Sequence, residues 1–236
     1  MIAEPPETAG DMHFSLRGIP IRIHPMFWGV TLLLGAVMPG ATPTTVALWI
    51  SAVLVSILVH ELGHALAARA FGWPPRIVLH GMGGLALYRP TNRRWHSRAL
   101  IAAAGPGAGF VLGGVVLMAA VLSGHAVTLD PLPIRVGTGT LLDGRLGLFV
   151  VFMMYVNFFW GFLNLLPIHP LDGGAISESL LQRLRPRDGV ELSYKISTGV
   201  AVVLAILALV LWQSLFLTVM FAALAWNAWS LLQAYR

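Results

Sequence analysis

The residues of this chain with the clearest capacity for chemistry are His60, Glu61 and His64, in the stretch His-Glu-Leu-Gly-His. Histidines four residues apart lie on one face of an α-helix, one turn apart, so both imidazoles can bind a single zinc ion. A glutamate between them is placed to activate a water molecule as a general base. The spacing therefore predicts a hydrolytic zinc site with His60 and His64 as ligands and Glu61 as the base.

The surroundings of this motif are apolar. It lies in a run from about residue 46 to residue 71, in which Glu61 and then Arg69 are the first charged residues. A charged side chain near the centre of a bilayer costs at least roughly 2.5–3.5 kcal/mol, so a polar cluster there needs a functional reason. The position of the motif indicates metal-dependent hydrolysis within or beside a membrane.

The composition is that of a polytopic membrane protein, since 57% of the 236 residues are hydrophobic and 11% are charged. The formal net charge is +5, but the basic residues fall at the ends of apolar segments, so we expect no nucleic-acid partner. Cysteine is absent, which excludes disulfides, thiolate zinc ligands and cysteine nucleophiles. The first 25 residues lack the apolar core of a cleavable signal peptide.

The apolar segments predict an all-α polytopic membrane protein with about six transmembrane helices and a small membrane-associated β-sheet or hairpin. Residues 1–13 are predicted to be a disordered tail, and residues 14–236 a single transmembrane domain. Alternating isoleucines predict an edge strand within residues 14–24, and a Gly-rich turn between two β-type runs predicts a hairpin at residues 76–90. The predicted spans are residues 25–38, 46–71, 99–122, 146–167, 196–212 and 214–232.

Basic residues are concentrated on one side of this six-span layout. They precede the first span, follow the second and the fourth, and end the chain, whereas only Arg135 and Arg145 lie between spans three and four. Because basic loops stay in the cytoplasm, both termini are predicted to be cytoplasmic. Spans two and four then run in the same direction, so His60, His64 and Asp172 converge in depth towards the cytoplasmic face.

Asp172 is the predicted third zinc ligand, by elimination. Zinc hydrolases usually supply three protein ligands and leave a fourth position for water, and alanines occupy the places of a further ligand at the metzincin spacing. Of the ten acidic residues, only Glu61 and Asp172 lie in or against membrane segments. Two prolines before Asp172 break the helix, and Gly173-Gly174 after it permit tight backbone turns.

Other polar residues near these segments have simpler explanations. Asn164 is equally compatible with hydrogen bonding to the interrupted helix backbone and with contact to the substrate. For His169, a loop or supporting role is favoured over that of an alternative zinc ligand. Asn157 lies one heptad before Asn164. An asparagine at such a position in a membrane helix more often forms a hydrogen bond between packed helices than acts as a catalytic group. Small residues four apart in span three most simply allow close helix packing: Gly105, Gly109 and Gly113.

With these residues the chain resembles the site-2 protease family of intramembrane zinc metalloproteases. The resemblance rests on the His60–His64 motif in a membrane helix and on the segment Asn164-x-x-Pro-x-x-Pro-Leu-Asp172-Gly173. Residues 18–25 are similar to the family's N-terminal strand, residues 81–84 to its membrane-associated hairpin turn, and Gly105-Pro106 to its third-helix motif. The chain resembles a minimal form of the family, without an inserted PDZ domain or a C-terminal nucleotide-sensing domain.

The resemblance implies that His60, His64 and Asp172 bind one zinc ion per chain, that Glu61 is the catalytic acid and base, and that Asn164 assists in the substrate or oxyanion site. The implied activity is hydrolysis of peptide bonds in or near the transmembrane segments of membrane proteins. The implied location is the cell membrane, in contact with lipid, with the active site towards the cytoplasm.

The hairpin at residues 76–90, either alone or with the strand within residues 14–24, offers an edge on which we expect an unwound substrate segment to be held by strand addition. The turn residues of the hairpin are Gly81, Met82, Gly83 and Gly84.

The chain departs from the family's pattern at two positions. Gly109 stands where many members carry Asn, and His169 where Pro is common.

Three other functions fit parts of the pattern. One is a membrane-anchored peptidase of soluble peptides at the cytoplasmic surface. Another is a zinc-binding pseudoprotease that serves as a scaffold, against which the intact Glu61 argues, because a structural metal site needs no base. The third is a transporter, but that fold commonly has inverted repeats, and the metal motifs here are not repeated.

Overall fold

The structure, a computed structural model, describes residues 4–91, 94–123, 127–130, 135–138 and 144–235. Within these ranges five helical segments are long and apolar enough to cross a membrane: Pro43–Ala70 (α2), Trp95–Leu122 (α3), Arg145–Asn164, Gly189–Val210 (α7) and Leu215–Tyr235 (α8). The predicted helical membrane fold with a small sheet is confirmed.

The first apolar segment is shorter than predicted. It forms α1, a helix of 12 residues from Pro25 to Ala36. At 1.5 Å per residue this helix is about 18 Å long, which is well short of a hydrocarbon core of about 30 Å. The helix begins where the His24 Nδ1 atom accepts a hydrogen bond from the Met26 N–H at 3.1 Å and Pro25 occupies the first turn.

The span Arg145–Asn164 is not a uniform α-helix. It consists of α4 (Arg145–Met154), a π-helical turn (Tyr155–Phe159) and α5 (Trp160–Asn164). A π-helical turn widens the helix by one residue and is frequent at functional sites. A further helix, α6 (Asp172–Leu184), begins after the proline-containing loop and precedes α7.

A four-stranded sheet has the order β1-β2-β3-β4, formed by Met12–Leu16, Ile19–Ile23, Arg76–His80 and Gly83–Leu87. β1 and β2 are antiparallel, β2 and β3 parallel, and β3 and β4 antiparallel. The isoleucine-rich strand is therefore inside the sheet and not at its edge as predicted, because β1 covers it. The predicted hairpin at residues 76–90 is present as β3 and β4. A second sheet contains β5 (Val127–Asp130) and β6 (Arg135–Thr138).

The segment before the sheet, which belongs to the predicted tail of residues 1–13, contacts β2. β1 begins at Met12, and Arg22 on β2 forms ion pairs with Asp11 at 2.9 Å and with Glu4 at 3.2 Å. The Arg22 side chain is only 7% exposed. A buried guanidinium needs such partners, since leaving it unpaired would carry a large desolvation cost, and these contacts hold the preceding segment against the sheet.

The chain divides into two compact units. The N-terminal unit contains Ala3–Pro90 and Ala104–Leu163, and the C-terminal unit contains mainly Thr91–Ala103 and Asn164–Arg236. In the N-terminal unit, buried side chains of β2, β3, α1, α2 and α4 form one apolar core, which includes Ile21, Phe27, Trp49, Leu79 and Phe152. In the C-terminal unit, α7 and α8 pack through Ala201, Ala208, Phe221 and Ala225, with Ile168 against them.

Candidate active site

The two histidines of the His-Glu-x-x-His motif face each other on α2 as the spacing predicts. The His60 and His64 Nε2 atoms are 3.0 Å apart. Two nitrogens bound to one tetrahedral zinc at 2.0–2.1 Å are about 3.3 Å apart, so this geometry fits a shared zinc ion. His60, Glu61 and His64 each offer a ligand atom, and these atoms all lie within 4.8 Å of one another.

The His64 imidazole lies in a notch that Gly105 leaves on α3. A Cβ added at Gly105 would lie 2.1 Å from His64 Nε2 and 2.3 Å from Cε1, far inside the 3.4 Å at which ordinary contact begins. The sequence predicts that this glycine allows close helix packing, and the contact confirms it. The neighbour that requires the glycine is a predicted zinc ligand.

Glu61 points towards the sheet, where β4 covers it. A Cβ added at Gly84 would lie 2.3 Å from Glu61 Cγ and 2.5 Å from Oε1. The Glu61 residue is 5% exposed. This burial raises the electrostatic influence of any bound cation on the carboxylate, because the surroundings have a low dielectric constant. The hairpin thus forms one wall around the predicted general base.

The hairpin turn is fixed against α1. A Cβ at Gly81 would lie 3.1 Å from Val30 Cγ2 and 3.4 Å from Met26 Cβ, while Met82 at the tip is 84% exposed. The His80 Nδ1 atom accepts a hydrogen bond from the Met82 N–H at 3.2 Å. Burial lowers the pKa of the His80 imidazole, and the nearby His24 and Arg22 lower it further, which keeps this acceptor unprotonated.

Gly63, inside the metal motif, was not singled out by the sequence reasoning. A Cβ there would lie 2.3 Å from the backbone oxygen of Ala104 and 2.8 Å from Ala108 Cβ. Glycine in a helix interior costs about 1 kcal/mol relative to alanine, so its presence between the two histidines of the motif was an available signal of close packing. Gly63 and Gly105 together allow α2 and α3 to approach closely beside His64. For Gly84, no local sequence signal could have shown that it faces Glu61.

Asp172 lies in the C-terminal unit, as the first residue of α6. The two glycines after it have no positive φ and do not form the predicted turn. They are required for close approach instead, since a Cβ at Gly173 would lie 2.1 Å from Leu165 O and a Cβ at Gly174 would lie 2.7 Å from His169 N. The start of α6 is therefore packed directly against the backbone of the preceding loop. Asn164, a half-buried residue, ends α5 just before that loop.

The loop before Asp172 is attached to α7 by buried serines. The Ser197 hydroxyl accepts a hydrogen bond from His169 N at 3.3 Å and donates one to Pro167 O at 3.0 Å. The His169 Nε2 atom lies 3.3 Å from Ser193 Oγ and 3.5 Å from Glu178 Oε2. Burial lowers the pKa of His169, although Glu178 opposes this shift, so the neutral imidazole is favoured. These contacts are compatible with the loop or supporting role that the sequence favoured for His169.

Replacing Gly105 by Ala is expected to weaken zinc binding, because the His64 ring must move by about 1 Å to restore ordinary contact. A loss of about 10- to 100-fold in zinc affinity is expected for such a perturbation of a ligand, and competition with a chelating dye measures it. Gly107→Ala on the same helix is the matched control, since a Cβ at Gly107 meets nothing within 4 Å. Equal zinc affinities for the two variants would show that Gly105 does not position His64.

The chain is similar in sequence to known proteins. The sequence model of peptidase family M50 matches residues 48–211. The chain is 31% identical over 204 residues to a Synechocystis sp. protein named as a zinc metalloprotease, covering 78% of this chain and 48% of that protein. It is 29% identical over 198 residues to a zinc metalloprotease of Methanocaldococcus jannaschii, covering 83% of this chain and 52% of that protein. The chain thus spans about half the length of these curated relatives.

A solved structure has a similar fold. It is the site-2 protease from Methanocaldococcus jannaschii, which superposes with a TM-score of 0.57 at 23% sequence identity. The superposition covers 93% of this chain and 94% of that chain. At this level of identity the likeness concerns the fold.

Proposed function

Because the chain belongs to peptidase family M50, we propose that it is an intramembrane zinc metalloprotease of the site-2 type. It hydrolyses peptide bonds in or near the transmembrane segments of membrane proteins. The observation that carries this proposal is the cluster of His60, Glu61 and His64, gathered within 4.8 Å on a helix long and apolar enough to cross a membrane. Two histidines that can share a zinc ion, beside a buried carboxylate that can act as the base, supply two of the usual three protein ligands and the proton acceptor of a zinc hydrolase.

In the proposed mechanism, the side chains of this chain bind the zinc ion and transfer the proton. When bound by His60 and His64, zinc would polarise the scissile carbonyl and lower the pKa of water. The Glu61 carboxylate accepts a proton from the attacking water and later delivers it to the leaving amine. Gly84 leaves no side chain between β4 and this carboxylate, so the strand packs directly on the base and a segment paired with β4 would lie close to it.

Asp172 and Asn164 complete the proposed site. Asp172 is the third zinc ligand, supported by its place next to a loop that Ser197 fixes to α7. A short side chain can act as a ligand only if its backbone is held at a defined point, and the packing of Gly173 against Leu165 O provides that. Asn164, at the end of α5, assists in the substrate or oxyanion site.

Substrate is held by strand addition to β4. A transmembrane helix satisfies its own backbone hydrogen bonds, so the segment to be cut must unwind and find new partners. β4 is at the edge of the four-stranded sheet and lies against Glu61. A proline at a β4 position whose N–H points away from β3 should reduce cleavage; an unchanged rate and cleavage site would exclude this role.

The protein is a multi-pass membrane protein, and we propose that its site faces the cytoplasm. The end of α2 that carries the metal motif contains Arg69 and is followed by further basic residues, which favour the cytoplasmic side: Arg76, Arg89, Arg93, Arg94 and Arg98. His60 and His64 lie in the half of α2 nearest this end, so water can reach the site without crossing the whole bilayer.

The test is cleavage in proteoliposomes of two substrates that carry the same cleavable segment, one as a membrane span and one as a soluble loop peptide. We expect the membrane-spanning form to be cut at least about 10-fold faster, and a zinc chelator to stop cleavage until zinc is restored. A protein with both His60→Ala and His64→Ala is the inactive control. Equal rates for the two substrates would indicate a membrane-anchored peptidase of soluble peptides, and zinc binding without cleavage of any substrate would indicate a pseudoprotease.

A further inference from the structure

Asn157 lies in the π-helical turn and is 3% exposed. Its Nδ2 atom donates hydrogen bonds to Met153 O and to Ser56 Oγ, both at 2.8 Å. A backbone carbonyl can only accept, so the contact with Met153 O fixes which end of the carboxamide is the nitrogen. The oxygen end, Oδ1, must therefore point the other way.

Asn157 Oδ1 has no hydrogen-bond partner. Among the side chains that the structure describes, it is the only buried nitrogen or oxygen atom in this condition. An orphaned acceptor is costly in any protein interior, and more so within a membrane span, where bulk water cannot compensate. Such an atom in a native protein usually marks a site for an ordered water or another small donor.

The space beside this oxygen is a notch at Gly109 on α3. A Cβ added at Gly109 would meet only Asn157 Oδ1 at 3.5 Å and Asn157 O at 3.9 Å. The equivalent positions one turn away on either side are closed, because a Cβ would lie 2.1 Å from His64 at Gly105 and 2.9 Å from Phe158 at Gly113. The glycine row of α3 thus has one position with room for an extra atom, and it faces the unpartnered oxygen.

We propose that Gly109 and Asn157 form a binding site for one water molecule. The water donates one hydrogen to Asn157 Oδ1 and the other towards Asn157 O, so both of its donors find acceptors in this notch. Ser56, which accepts from the same carboxamide, is four residues before His60 on α2, which is about 6 Å along the helix. The site therefore keeps a water about one turn from the metal-binding pair, on the side away from the basic end of α2. The proposal rests on the packing of the N-terminal unit and does not require that the protein is a protease.

Alanine substitutions on α3 test the proposal. Without a water, Gly109→Ala should raise the stability of the protein, whereas with a water it should lower it. Gly→Ala in a helix interior normally raises stability when the new Cβ has space. Gly114→Ala, where a Cβ meets nothing within 4 Å, is the matched control and should raise the melting temperature of the purified protein in detergent. Gly109→Ala also has space but displaces the water, so we expect its melting temperature to lie about 3 °C or more below that of Gly114→Ala.

Two further variants separate the water from other effects of the added methyl group. Gly109→Ser places a hydroxyl donor near Asn157 Oδ1, so its melting temperature should recover most of the decrease expected for Gly109→Ala. In an Asn157→Leu background the acceptor is gone, so Gly109→Ala and Gly114→Ala should become equivalent. The proposal is overturned if Gly109→Ala matches Gly114→Ala in the otherwise unchanged protein, or if Gly109→Ser is no more stable than Gly109→Ala.

Discussion

Replacing Glu61 by Gln is expected to reduce peptide cleavage by about 10²- to 10⁴-fold while zinc remains bound. Gln has the shape of Glu and fits the same buried place beside Gly84, but its amide cannot accept a proton from water. Because His60 and His64 are unchanged, the nitrogens 3.0 Å apart still offer two ligands to the metal. The measurement is the cleavage rate of a membrane-spanning substrate, with zinc content determined on the same preparation.

The matched control for this substitution is Glu191→Gln on α7, since Glu191 forms a surface ion pair with Lys195 at 3.0 Å. That variant should cleave at the rate of the unchanged protein, because surface ion pairs contribute at most about 1 kcal/mol to stability. Wild-type cleavage by the Glu61→Gln protein would remove Glu61 from the mechanism. A parallel loss of zinc and activity would instead make Glu61 a ligand.

Replacing Asp172 by Asn is expected to lower zinc affinity by at least about 100-fold and to abolish cleavage. Loss of a group that only supports a ligand typically costs 10- to 100-fold, so loss of a ligand itself should cost more. Asn keeps the size of the side chain and lacks the negative charge, so the packing of Gly173 against the Leu165 carbonyl is preserved. Zinc titration of the metal-free protein measures the effect.

A different result is expected if Asp172 serves only the helix that it begins. An acidic side chain in the first turn of α6 stabilises the helix by about 0.3–1 kcal/mol through the helix dipole. Asp172→Asn would then lower the melting temperature slightly and leave zinc affinity and cleavage unchanged, which would contradict its role as a ligand. Asp188→Asn, at the start of α7 and 53% exposed, is the control for removing one acid near a helix terminus.

The comparison of Gly173 and Gly84 shows what kind of information the sequence carries. Both are recognisable as glycines near predicted site residues, and both were assigned to turns. The structure shows instead that each leaves room for a neighbour, Leu165 O for Gly173 and the Glu61 side chain for Gly84. Close approach depends on what lies opposite, and for Gly84 that neighbour is 23 positions away in the chain.

The length of the first apolar segment was also not predicted correctly from the sequence. Hydropathy alone extends it to residue 38, but the helix ends at Ala36 and a new one begins at Pro43, where Thr42 Oγ1 accepts a hydrogen bond from the Thr45 N–H at 3.1 Å. An apolar composition indicates contact with lipid or core, and a span also requires length. The π-helical turn around Asn157 likewise leaves no periodic signal in the sequence, because it shifts the helix by a single residue.

The sequence by itself determined the metal motif, the predicted base, the membrane character and the hairpin. The membrane character depends on composition, and the other three depend on spacing within one helix or hairpin, where the periods of 3.6 and 2 residues fix which side chains share a face. The tertiary structure decided that β4 covers Glu61, that α3 holds His64 against Gly105, and that Asn157 keeps an unpaired oxygen at Gly109. These contacts join residues from 23 to 48 positions apart, so they depend on how helices and strands pack, which no local pattern specifies.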